Sequence, residues 1–171
     1  MQTGYGTYTT IMNQLIGDTY GLIHLIASVV ALLAGTLVLF LRKGTTLHKR
    51  VGYVYVISMV LLLITAFLIY RLFGGWGVFH YASVFSLITL GLGMIPIWTK
   101  SPSDNWRFMH FSFMYWSVIG LYSAFAAEVL TRIPESSFFG MVGLSFVVIM
   151  VVAVISFNRN REKWAMRFGR V

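Results

Sequence analysis

Five apolar runs, at residues 20–41, 52–72, 77–98, 108–130 and 138–157, leave this chain few ways to fold. Each has the length of about 20 residues that a helix needs to cross a hydrocarbon core of about 30 Å. Inside such a core the backbone has no water to bond, so a helix must satisfy its own N–H and C=O groups. The expectation is an all-α membrane protein of five transmembrane helices. Of its 171 residues 58% are hydrophobic and 11% charged, which leaves room for one bundle and no separate soluble domain. Cysteine is absent, which excludes disulfides, thiolate metal sites, covalent haem attachment and iron–sulfur clusters.

Residues 1–19 are polar, rich in Thr, Gly and Tyr, and contain no Lys or Arg. A signal peptide needs a basic start, so this stretch reads as an external tail. It precedes a single five-helix domain over 20–157 and a basic tail over 158–171. The +8 net charge would point to nucleic acid in a soluble protein; here its distribution reads as topology instead, and no nucleic-acid partner is expected. Arg42, Lys43, Lys49, Arg50, Lys100, Arg107, Arg159, Arg161, Lys163, Arg167 and Arg170 fall on one side, and Arg71 and Arg132 on the other. That bias places the N-terminus outside and the C-terminus in the cytoplasm. The basic tail is suited to contact anionic lipid. Thr45 or Thr46 is expected to cap the second helix, and Ser103 or Asp104 the fourth.

The stretch 105–134 is apolar enough to span, yet it carries His110 near one end and Glu128 near the other. Eighteen residues make five helical turns, so both side chains share a face, about 27 Å apart. Ionisable residues in a spanning helix are costly and usually face the interior. The four histidines fall one on each of the first four helices. With alternating direction, His24, His80 and Glu128 gather at the outer edge, and His48 and His110 at the inner edge. Stripes agree with inward-facing histidines: His24 with Ser28, Ala31 and Gly35; His48 with Gly52, Tyr55 and Met59; His80 with Ser83, Leu87 and Gly91. Helices 1–4 are expected to form a four-helix bundle, with the fifth, carrying Gly140 and Gly143, packed against it.

Plainer roles stand beside these. His48, within Leu47-His48-Lys49-Arg50, reads equally as part of a basic loop among headgroups. Glu128 can pair with Arg132 one turn on. The tyrosines and scattered methionines read as interface and core.

Two chemistries suit the histidine pattern. Haem b takes two neutral imidazoles from facing helices. His24 with His80, and His48 with His110, would hold two haems and pass electrons across the membrane. This placement over residues 20–130 resembles the cytochrome b561 superfamily, in which four core helices carry four histidines for two haems. The alternative is a zinc or iron ion on His24, His80 and Glu128, since two histidines and a carboxylate form a familiar open ligand set. Asp18 and the Tyr-rich tail would lie near such a site. A third reading is a non-enzymatic membrane subunit that binds a partner's helix.

Local wording points to a family. Leu47-His48-Lys49-Arg50-Val51-Gly52-Tyr53-Val54-Tyr55 looks like an LHRxxGxxY segment, and His110 to Met114, followed by Ala126-Ala127-Glu128 and Arg132, looks like HxxxM…AAE…R. Over residues 20–133 the chain resembles the DUF2306 family of predicted bacterial membrane proteins. The resemblance implies a multi-pass protein of the bacterial inner membrane and carries no activity. It singles out His48, Gly52, His110, Met114 and Glu128.

Overall fold

The structure is a computed structural model and describes residues 19–69, 74–101, 103–133 and 137–168. The expected external tail up to Asp18, together with Arg71 and Arg170, lies outside the described residues. Among the described residues all regular structure is helical. The helices are α1 (Thr19–Phe40), α2 (Thr46–Leu68), α3 (Val78–Thr99), α4 (Trp106–Leu130) and α5 (Phe138–Phe168). All five are long and apolar enough to cross a membrane. Large side chains such as Leu33, Phe40, Ile57, Phe85 and Val152 stand exposed. So much outward apolar surface suits lipid rather than water. The chain divides within α3 into two compact units, residues 1–83 and 84–171.

In the first unit α1 and α2 pack against each other. The stripe that α1 buries is made of small residues, Gly21, Ala27, Ala31, Ala34, Gly35 and Val38. The face that α2 buries carries Tyr55, Met59, Leu62 and Leu63 with Ser58 and Thr65. Without a hydrophobic drive between helices in lipid, such close packing is what holds them together. The turn between them is closed by polar groups. Lys43 Nζ donates to the carbonyls of Val38 and Leu39 at 2.7 Å and of Leu41 at 3.3 Å, satisfying the open end of α1. Gly44 takes a left-handed φ of 81°. Thr45 caps α2 as expected, its hydroxyl accepting the His48 N–H at 3.2 Å. The helix therefore begins before the apolar run, and Lys49 and Arg50 belong to its first turns.

In the second unit α4 and α5 pack together. Tyr115 is buried and its hydroxyl donates to the Ala153 carbonyl at 3.0 Å. Around it stand Phe111, Trp116, Phe157 and Trp164, with ring centroids 4.9 to 5.7 Å apart in the pairs of Trp164 with Phe111, Tyr115 and Phe157. Trp164 explains why α5 continues 11 residues beyond the expected end at Phe157, about 16 Å by helix rise. Residues 158–168 are a helical extension pinned by an aromatic ring. The small residues of α5 that meet neighbours are Ser145 and Ala153, while Gly140 and Gly143 are exposed.

Two local expectations differ from the structure. Asn105, not Ser103 or Asp104, occupies the N-cap position of α4 and makes no side-chain cap bond there, while Ser103 Oγ donates to Asp104 Oδ1 at 2.7 Å. On α3, His80 and Ser83 are buried as expected, but Leu87 is 48% exposed. The buried face runs on through Leu90, Gly93 and Met94 instead, a drift of the stripe along the helix.

Candidate functional site

A neutral imidazole carries one proton, and the partner of one ring nitrogen decides the state of the other. The four histidines divide on this point.

His24 is half-buried on α1, with Nδ1 3.0 Å from Thr65 Oγ1 on α2. The single hydroxyl proton of Thr65 is directed at the carbonyls of Leu61 and Leu62, each at 2.9 Å. Thr65 therefore accepts, His24 donates from Nδ1, and the lone pair of the neutral ring lies on Nε2. His110, half-buried on α4, reaches the same state by another route. Its Nδ1 lies 2.7 Å from the Gly93 carbonyl, which can only accept. Here too the proton is on Nδ1 and the lone pair on Nε2.

Gly93 is a tight point. A Cβ there would sit 2.7 Å from Met114 Sδ and 3.4 Å from the Met114 backbone nitrogen. Only glycine lets the Met114 side chain lie against this part of α3. His110 and Met114, one turn apart and the ends of the HxxxM segment, thus close on one glycine.

His80 is arranged oppositely. It is the third residue of α3, 4% exposed, and its Nδ1 accepts the Gly77 N–H at 3.1 Å. An imidazole here does what Glu or Gln does in a capping box, satisfying the N–H of the residue that opens the helix. A neutral His80 therefore carries its proton on Nε2. The ring stacks on Trp76 at 5.6 Å and 26°, with Phe67 at 6.4 Å. The Trp76-Gly77 segment forms the seat of this histidine.

His48 lies in the first turn of α2 and is half-buried. Gly52, one turn on, makes an ordinary contact: a Cβ there would lie 3.8 Å from Val38 Cγ2. Glu128 Oε1 meets Arg132 Nη2 at 2.7 Å, with both side chains 46% exposed. This is the local i,i+4 pair. Asp18 lies outside the described residues. Among the described residues no three His, Cys, Asp or Glu side chains form a group able to hold a metal ion.

Thr65, Gly77 and Gly93 are the residues that pattern reading missed. Thr65 acts on His24 from another helix, which no local spacing reveals, while Gly77 lies three residues before His80. Gly93 leaves a faint signal as a small residue in an apolar helix.

The family model described as Predicted membrane protein (DUF2306) matches residues 21–158. No curated protein and no solved structure matches the chain.

Proposed function

The chain belongs to the DUF2306 family of predicted membrane proteins, and we propose that it is a haem b-binding protein that passes electrons across the bacterial inner membrane. One observation carries this reading. His24 and His110 are each held through Nδ1 by a fixed group, Thr65 Oγ1 at 3.0 Å and the Gly93 carbonyl at 2.7 Å, an orientation that suits ligation through Nε2. Histidines that bind metals use this arrangement, because the second bond holds the ring and raises its basicity. They supply one member of each pair expected from the sequence, His24 with His80 and His110 with His48. His80 would join such a pair only by giving up its bond to Gly77 and moving its proton, so His24 and His110 would be the anchoring ligands. Bound haem would supply one-electron chemistry; the chain supplies the imidazoles and the apolar surroundings.

The external N-terminus and cytoplasmic C-terminus rest on the distribution of Lys and Arg. The competing zinc or iron site on His24, His80 and Glu128 has less support. Glu128, which it alone requires, is engaged by Arg132.

Haem content per chain tests the proposal, measured on full-length protein purified from cells supplied with haem. The wild type is expected to retain haem, with His24→Ala and His110→Ala each losing part of it and Glu128→Gln losing none. Full retention in both histidine variants overturns the assignment. Loss of a bound zinc or iron ion in Glu128→Gln, with no haem in the wild type, favours the competing site.

A further inference from the structure

Met114 closes the HxxxM segment and has no part in holding haem. It lies one turn after His110 on α4, and both side chains meet Gly93 of α3. The His110 ring is fixed there, its Nδ1 donating to the Gly93 carbonyl at 2.7 Å, which suits ligation through Nε2. The thioether is fixed as well, at the place where glycine lacks a side chain. A Cβ on residue 93 would stand 2.7 Å from Met114 Sδ and 3.3 Å from its Cγ. Side chains in a helix lean toward its N-terminus, so Met114 leans over the turn that carries His110. Cβ atoms so spaced are about 5–6 Å apart, and metal bonds of about 2.0 Å to nitrogen and about 2.3 Å to sulfur bridge such a gap. Met94, next to Gly93 and itself buried, offers a second thioether from α3.

We propose that His110 Nε2 and Met114 Sδ bind a soft monovalent cation of the Cu(I) kind. The donors set this class. Both are neutral, and thioether sulfur selects Cu(I) over harder ions. A divalent ion would keep its whole double charge in an apolar span, where charge is costly. The acids of α4 and its preceding loop do not serve it. Asp104 is exposed before the helix begins, and Glu128 stands five turns on, paired with Arg132. Leucine would fill the space of Met114 in the core equally well. The sulfur adds a soft donor beside an imidazole already held at its other nitrogen. The site draws on the second unit alone, whereas the inner haem pair needs His48 as well. It shares His110 with the haem reading without resting on it, and ion and haem exclude each other at Nε2.

Calorimetric titration with Ag(I), a redox-inert cation of the same charge and softness, tests this on full-length protein from cells without added haem, in chloride-free buffer. The wild type is expected to bind one ion per chain. Met114→Leu should weaken that binding about tenfold or more, since even the indirect partners of metal ligands are worth this much. His110→Ala should weaken it at least as far. Met59→Leu removes another buried thioether, on α2, and should leave the affinity intact. Equal affinity in the wild type and Met114→Leu overturns the proposal. So does an equal loss in Met59→Leu and Met114→Leu, which would mean diffuse binding to methionines, and so does the lack of a stoichiometric ion. Haem content, measured separately on protein from cells supplied with haem, keeps the two readings apart. Met114→Leu should retain its haem in full, so the ion site fails through Met114 and the haem assignment through the histidines.

Discussion

Thr65 does two things with one oxygen: it donates back into its own helix and accepts from His24. Thr65→Val keeps the shape and removes the acceptor. The expected cost is about 0.6 kcal/mol, the average for a polar contact between membrane helices. If His24 ligates haem, its affinity should fall by about 10-fold to 100-fold, as for other lost partners of metal-bound histidines. Thr65→Ser should retain both. Thermal unfolding in detergent and haem retention check the two parts separately. Gly93 gives a sharper prediction. Gly93→Ala places a Cβ 2.7 Å from Met114 Sδ, so the thioether must move. The expected loss is about 1–3 kcal/mol of stability, as for other overpacked sites. Adding Met114→Ala should recover part of it, and equal unfolding temperatures for Gly93→Ala and wild type would contradict the close approach. Glu128 and Arg132 are half-exposed, so Arg132→Ala should change stability by no more than about 0.5 kcal/mol.

At the scale of the helix, His80 serves as a cap before it serves as anything else. His80→Gln preserves an acceptor for the Gly77 N–H, as Gln does in a capping box. His80→Ala removes it and should cost roughly 0.5–2 kcal/mol more than His80→Gln. A haem role for His80 would instead make the two substitutions equal in haem loss. The length of α5 has a comparable test. Trp164→Ala removes the ring that Phe111, Tyr115 and Phe157 surround. The region beyond Phe157 should then exchange its amide hydrogens faster, while the part of α5 around Ala153 stays protected by the Tyr115 bond. The spans themselves were plain in the sequence because about 20 apolar residues have one use. The Thr45 cap was plain because its partner lies three residues away. The helical extension of α5 was hidden, since its polar surface has no apolar run and its anchor sits on another helix. On α3 the stripe from His80 predicted Leu87, while the buried face follows Leu90 and Met94.

For the molecule as a whole, membership of the DUF2306 family of predicted membrane proteins agrees with five helices long and apolar enough to span. Placement of the histidines on four separate helices was legible from spacing alone. Their chemistry was not, because a tautomer depends on which carbonyl, hydroxyl or amide reaches the ring. Once those partners are known, His24 and His110 share one proton arrangement and His80 has the other. Haem ligation would give that division a use. The most direct test is the visible absorption spectrum of the purified full-length protein, as isolated and after dithionite, from cells supplied with haem. A Soret band that shifts and an α band that sharpens on reduction are expected, as low-spin haem held by two imidazoles requires. A protein that stays colourless in both states would contradict it.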